Sequence, residues 1–283
     1  MGEERTHRAV SDDGTEIVGT VHGEGPSLLL QHGAMDHGES TWGSVLPYLT
    51  DRYTCHVPSL RNRGRSGRSD DSAPPRLVED VTAYAASLGD PVGLVGLSLG
   101  GALVLGAAGR LAQATAVVSF EPVVAEVIDE DTFGRLTETV THEAELAGEG
   151  RLADAIRTFG RFVGNDEEVA ALEAAGAFET MGPNAPADLV AIEQGSAYDG
   201  PRATEPEALA QLDMPVLLLQ GERSNAASWF HAGVQHVAEH VPHAEVRELS
   251  TLGHLAPMVE PAPVADEIGR LFDDPRTWPA RPS

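Results

Sequence analysis

Lysine is absent from the 283 residues, so every one of the 19 basic side chains is arginine; 44 aspartates and glutamates oppose them, for a formal net charge of −25. An excess of that size repels nucleic acid and anionic membrane surfaces, so neither is expected as a partner. It reads as a solvated acidic surface. Cysteine is nearly absent too. The one residue, Cys55, has no second thiol for an internal disulfide, and its apolar-polar surroundings suit a small buried packing residue better than a reactive thiol. Long apolar runs are missing, and none approaches a membrane span. The start, residues 1–8, is polar and charged, without the apolar stretch of a signal peptide. A soluble, cytoplasmic protein is the expectation. No repeat or low-complexity segment stands out.

What is present is an ordinary globular core, with 41% hydrophobic residues, on a chain long enough for one large domain with an insertion. Short apolar runs at 27–31, 54–57, 92–97, 114–121 and 215–220 read as buried strands, and 245–249 as a further strand. Asp12-Asp13-Gly14 is a turn between two further strand-like pieces, 6–11 and 15–22. Amphipathic stretches lie between the runs: Leu77, Val81, Tyr84 and Leu88; then 99–111; then Phe230, Val234, Val237 and Val241; and last Val264, Ile268, Leu271 and Phe272. Strands alternating with helices predict the α/β class, a mostly parallel sheet with helices on both faces. From about 123 to 212 the rhythm changes to helical periodicity alone, broken at Gly182-Pro183-Asn184 and Gly200-Pro201. The predicted organisation is a core of residues 1–122 and 213–283 with a helical cap at 123–212. Ligands bind beyond the carboxyl ends of such strands, so the cap would roof the site.

Gly96-Leu97-Ser98-Leu99-Gly100 matches G-x-S-x-G, and its context carries more than the match: it follows the apolar strand 92–97 and opens a helix. A serine on such a turn projects its hydroxyl from the sheet, and the new helix offers N–H groups to developing negative charge. The G-x-G-x-x-G spacing of a dinucleotide site is absent. Gln31-His32-Gly33-Ala34 ends an earlier strand, where the backbone N–H groups of Ala34 and Leu99 would converge on one oxygen. His32 reads as a packing residue under that loop; Asp36 and His37 read as solvated loop residues rather than metal ligands. His254, on the loop between strand 245–249 and the last helix, is placed to take and return the serine proton. His231, His236, His240 and His243, on or after an amphipathic helix, read as surface residues.

Together these residues, in this chain order, resemble the α/β-hydrolase superfamily over about residues 6–272. The resemblance implies Ser98 as nucleophile, His254 as general base and the Ala34 and Leu99 amides as oxyanion hole, with no cofactor and no metal. Arg61-Asn62-Arg63-Gly64-Arg65-Ser66-Gly67 is similar to the superfamily's Arg-Gly-x-Gly segment, and its extra arginines are read as bracing the loop rather than binding phosphate. Many members carry an aspartate just after the strand that here is 215–220; this chain has Gly221-Glu222-Arg223-Ser224-Asn225 there. Glu121, in Ser119-Phe120-Glu121-Pro122, instead resembles the relocated acid of haloalkane dehalogenases and some lactonases of the fold, with Glu222 as second choice. A serine rather than an aspartate nucleophile points away from dehalogenation and toward acyl transfer.

The resulting expectation is a capped serine hydrolase that cleaves an ester or lactone of a mainly apolar small molecule through an acyl-serine intermediate. Alternatives on the same fold are a carbon–carbon bond hydrolase with the same triad, a non-catalytic small-molecule receptor, and a hydroxynitrile-lyase-like enzyme. The last would want a basic cap residue near the serine. The sequence leaves the substrate and the oligomeric state open.

Overall fold

Nearly every apolar run of the sequence enters one eight-stranded sheet in the computed structural model, which describes residues 5–278. The first residues of the polar start, 1–4, and the end of the Pro/Arg tail, 279–283, lie outside the described residues. The strands are β1 (Thr6–Val10), β2 (Glu16–His22), β3 (Ser27–Gln31), β4 (Thr54–Pro58), β5 (Val92–Leu97), β6 (Ala114–Phe120), β7 (Val216–Gly221) and β8 (Glu245–Leu249). Their order is β1-β2-β4-β3-β5-β6-β7-β8. The β1–β2 and β2–β4 pairs are antiparallel, and every later pair is parallel.

The helices are α1 (Gly38–Trp42), α2 (Pro74–Ser87), α3 (Leu99–Ala108), α4 (Glu130–Gly148), α5 (Leu152–Val163), α6 (Asp166–Ala174), α7 (Ala177–Met181), α8 (Ala185–Ala197), α9 (Pro206–Leu209), α10 (Ala227–His240), α11 (Ala256–Val259) and α12 (Pro261–Phe272). Alternate residues of the central strands feed two separate cores. Leu29, Leu94, Val117 and Leu218 meet α2, α3 and α10 on one face. Leu28, Leu30, Val95, Val118 and Leu217 meet α1 and α12 on the other. That is why β3 and β5 read as continuous apolar runs rather than as an alternation: both faces are covered. Strand β8 is the exception. It is the sheet edge, mostly exposed, with Val246 at 42%, and its Glu-Val-Arg-Glu-Leu composition puts charges along an edge that would otherwise invite pairing.

Between β6 and β7 the described chain holds helices α4 to α9 and no strand. Helices α5, α6 and α7 close over a third core, where Ile156, Phe159, Phe162, Phe178 and Met181 pack with Trp229, Phe230 and Leu255. Polar contacts of α8 and of α6 with its N-cap fall on loops that leave β3, β7 and β8: Asp188 to Met35, Asn165 to Arg223 and Glu168 to Leu255. The helical segment therefore sits over the carboxyl ends of the strands.

Candidate active site

Ser98 stands at the sharp turn from β5 into α3 with φ 57° and ψ −121°, a left-handed conformation that costs a non-glycine residue energy and persists only when its surroundings hold it. Here its amide donates to the carbonyl of Phe120 at 2.8 Å, and its carbonyl accepts from Val123 at 3.2 Å. Glycine is required on either side by close approach. A Cβ on Gly96 would come within 2.2 Å of the Gly100 carbonyl oxygen, and one on Gly100 within 2.4 Å of that of His32. Leu99 is the first residue of α3, so its amide has no intrahelical acceptor.

The loop after β3 comes against this turn: a Cβ on Gly33 would lie 3.1 Å from the Ser98 Cβ. His32 under it is fully buried. The amide of Leu60 donates to Nε2 at 3.0 Å, so the ring proton is on Nδ1, which donates to the Gly33 carbonyl at 2.8 Å. Burial, reinforced by the charge of Arg63, pushes the His32 pKa well below its ordinary value and keeps the ring neutral. Among the described residues the Ala34 amide has no protein acceptor.

His254 follows β8 on a buried loop. Its Nδ1 lies 2.6 Å from Glu121 Oε2, with both side chains all but excluded from solvent. A carboxylate only accepts, so Nδ1 carries the proton and Nε2 keeps a free lone pair. Phe230, from α10, stacks flat on the imidazole, with ring centroids 4.1 Å apart and planes within 2°, and this fixes the ring's rotation.

Glu121 ends β6 with φ 45°. Its amide donates to the Leu219 carbonyl at 2.9 Å, so the strained residue is tied into the strand pair. Its Oε1 accepts from the amide of Gly221 at 2.8 Å and lies 2.7 Å from the Ser224 hydroxyl. Ser224 thus lies in the stretch after β7 that lacks an aspartate, and there it hydrogen-bonds Glu121. Glu222 lies elsewhere: it is exposed and faces Glu248, whose hydrogen bond and then negative charge raise its pKa.

The structure therefore brings Glu121 to His254 and the Gly33–Ala34 loop to Ser98, and it keeps Glu222 on the surface. It also corrects two readings. Asp36 is not solvated: it is fully buried, accepting from the hydroxyls of Ser40 and Thr41 and from the His37 amide at the start of α1. His231, His236 and His240 are half-buried rather than free on the surface, bonding the carbonyls of Gly221, Thr204 and His236 respectively. The arginine loop is braced: Arg61 is buried between Asp80 and Asp13.

Three site neighbours escape the reading of the sequence. Phe230 carries only the signal of an apolar helix face. Ser224 carries the gap left by the missing aspartate. Glu168, in α6, accepts from the Leu255 amide at 3.0 Å and from the Asn165 amide at 3.1 Å; burial pushes its pKa up to about 7. Its signal is an acid beside Val169 and Leu172 on a helix.

Comparison with known proteins agrees with this architecture. The alpha/beta hydrolase family profile matches residues 21–267. A pimeloyl-[acyl-carrier protein] methyl ester esterase of Xanthomonas oryzae pv. oryzae is 30% identical over 257 residues, covering 89% of this chain and 96% of that protein. A pyrrolizixenacetamide deacetylase of Xenorhabdus hominickii is 32% identical over 90 residues, but the match spans 30% of this chain and only 33% of that protein. Among solved structures, an esterase from Rhodococcus sp. ECU1013 superposes with a TM-score of 0.75 at 20% identity, over 95% of this chain and 98% of that one; at that identity the likeness speaks for the fold. Fold, profile and full-length relative converge, and the chain belongs to the alpha/beta hydrolase family, as a hydrolase of its esterase type.

Proposed function

We propose that the protein hydrolyses an ester or lactone of a small, mainly apolar molecule through an acyl intermediate on Ser98. The observation that carries this reading is the buried 2.6 Å contact between His254 Nδ1 and Glu121, which leaves the Nε2 lone pair of His254 free to act as the base toward Ser98. In the first half-reaction Ser98 Oγ attacks the acyl carbon while Nε2 takes its proton. The amides of Ala34 and Leu99 stabilise the oxyanion, each such donor being worth roughly 3 kcal/mol in the transition state. The tetrahedral species collapses, the alcohol leaves with the proton from Nε2, and the acyl group stays on Ser98. In the second half His254 deprotonates water, which attacks the acyl carbon; Ser98 recovers the proton and the acid departs. Glu121 keeps the imidazole in the productive tautomer and stabilises its cation.

An apolar substrate is favoured by the flanking surface: Ala34, Val123, Leu136 and Ile192 line the same apolar cluster as the cap aromatics Phe159 and Phe162. Phe178 and Met181 are fully buried in that cluster, whereas Phe133 is turned out to solvent at 54% exposure. From the Xanthomonas relative we take the ester chemistry alone.

The test is labelling with a fluorophosphonate alongside hydrolysis of a panel of neutral and carboxylated aryl esters and lactones. Peptide mapping is expected to find the adduct on Ser98 alone, and Ser98→Ala is expected to abolish turnover. An adduct elsewhere, or turnover confined to dicarbonyl carbon–carbon substrates, overturns the reading; a strong preference for carboxylated esters overturns the apolar assignment alone.

A further inference from the structure

We propose that Arg63 and Asp188 are positioning residues that aim the Ala34 amide at the reacting carbonyl oxygen, so that cap helix α8 supplies part of the oxyanion geometry. The proposal rests on the serine-ester reading above.

The argument begins with the peptide plane. In a trans peptide the carbonyl of one residue and the N–H of the next point in opposite directions within one rigid plane. Whatever holds the Gly33 carbonyl therefore aims the Ala34 amide the other way. Two donors hold it: His32 Nδ1 at 2.8 Å and Arg63 Nη1 at 3.2 Å. The same Arg63 nitrogen reaches the Asp36 carbonyl at 3.4 Å, so the guanidinium grips the loop on both sides of Ala34 and Met35. The next plane is held from the cap. Met35, itself at φ 65°, donates its amide to Asp188 Oδ2 at 2.8 Å. The other oxygen of Asp188 takes Arg63 Nη2 at 2.6 Å, and Asn184, just before α8, donates to the Met35 carbonyl at 3.4 Å. Arg63 and Asp188 are 2% and 1% exposed.

A buried ion pair is poor evidence of stability, because desolvation offsets most of the attraction. This one does something that apolar residues of equal volume would not: it fixes the peptide plane that carries the free Ala34 amide and the plane that follows it. Arginine suits the task because its planar fork reaches two carbonyls and a carboxylate at once, which an ammonium does not. Glu143, from α4, is a further titratable group facing the pair, and burial favours its neutral form. The seating of α8 on this loop and the alignment of the oxyanion site therefore depend on the same contacts.

The experiment measures kcat and KM for p-nitrophenyl butyrate, per Ser98 titrated with a fluorophosphonate, together with the inhibition constant of an alkyl trifluoromethyl ketone, whose serine adduct carries the same oxyanion. For Asp188→Asn, one carbonyl oxygen cannot serve both Met35 and Arg63. The expected result is a fall in kcat of about 10- to 100-fold, short of complete loss of an oxyanion donor, with KM within about threefold and the ketone weakened in parallel. Where Asp188→Asn does not fold, Arg63→Lys takes its place: it keeps the charge opposite Asp188, loses the fork, and is expected to show the same split. Parental kcat per titrated site, a change in KM alone, or a fall in kcat with ketone affinity intact overturns the clamp while leaving the esterase standing. A parent enzyme without Ser98-dependent ester hydrolysis removes the esterase reading, and the clamp falls with it.

Discussion

Glu121 is the residue on which chemistry and backbone geometry bear together. It holds φ 45°, it accepts from Gly221, Ser224 and His254, and it is fully buried. Glu121→Gln keeps the shape and removes the anion that orients His254; it is expected to lower kcat by at least about 100-fold with the fold intact. The Ser224 hydroxyl lies 2.7 and 2.9 Å from the two carboxylate oxygens, so a carboxylate at position 224 reaches nearly the same space once the Glu121 side chain is shortened. The double variant Glu121→Ala/Ser224→Asp is therefore expected to recover at least about tenfold of the activity lost in Glu121→Ala. Steady-state kinetics on one aryl ester decide it, and no recovery would mean that the imidazole accepts an anion from the β6 side only. Ser98 and Glu121 were legible in the sequence because each sits at the end of an apolar strand, and His254 because it lies on the loop before the last helix. The partners of Glu121 were not: a serine and a backbone amide carry no sequence mark of what they bond, and Ser224 showed only as a missing aspartate.

At the scale of elements, the strands were legible and the cap's docking was not. Buried parallel strands are short and continuously apolar, so their position follows from composition alone. Helical periodicity shows that α4 and α8 exist without showing which neighbour their inner faces meet. The clue was local. Glu143 lies in step with Leu136, Val140 and Ala147, and Asp188 with Ala185 and Ile192, so each is an acid within an apolar stripe; among 44 carboxylates that clue is easily passed over. Glu143 is fully buried, and neither of its oxygens has a hydrogen-bond partner among the described residues. Burial, reinforced by the charge of Asp188 and moderated by Arg63, pushes its pKa up to about 9. The sign of its contribution follows. Between its ordinary value and about 9 the folded protein holds a proton that the unfolded chain has released, so stability falls as pH rises through that window. Glu143→Gln removes the loss. Parent and variant are expected to melt together near pH 5, with the variant gaining at each higher pH up to about 9, no faster than about 1.4 kcal/mol per pH unit. Thermal melts across that range check it, and a constant offset between the two proteins would place the Glu143 carboxyl outside the buried cluster.

Over the whole molecule the governing quantity is charge. The arginines are largely committed: Arg61 and Arg63 to buried carboxylates, and Arg8, Arg76, Arg151, Arg157 and Arg270 to surface ones. Exposed pairs contribute roughly 0–1 kcal/mol each, so weakening them with salt costs little. The excess of acids over bases, −25 in all, repels itself across the entire surface in the folded state more than in the expanded chain. Added salt screens that repulsion once the Debye length drops, to about 10 Å at 0.1 M. Two opposing effects of salt are thus in play, and the global one is larger because the unpaired acids outnumber what a few marginal ion pairs return. The melting temperature is expected to rise, or at least hold, between dilute buffer and about 0.5 M NaCl. The buried pairs Arg61–Asp80 and Arg63–Asp188 lie out of reach of the ions, so turnover per titrated Ser98 is expected to stay level over the same range for an uncharged ester. A melting temperature that declines steadily over the first 0.2 M would show that surface ion pairs, rather than net charge, dominate the electrostatics of this fold.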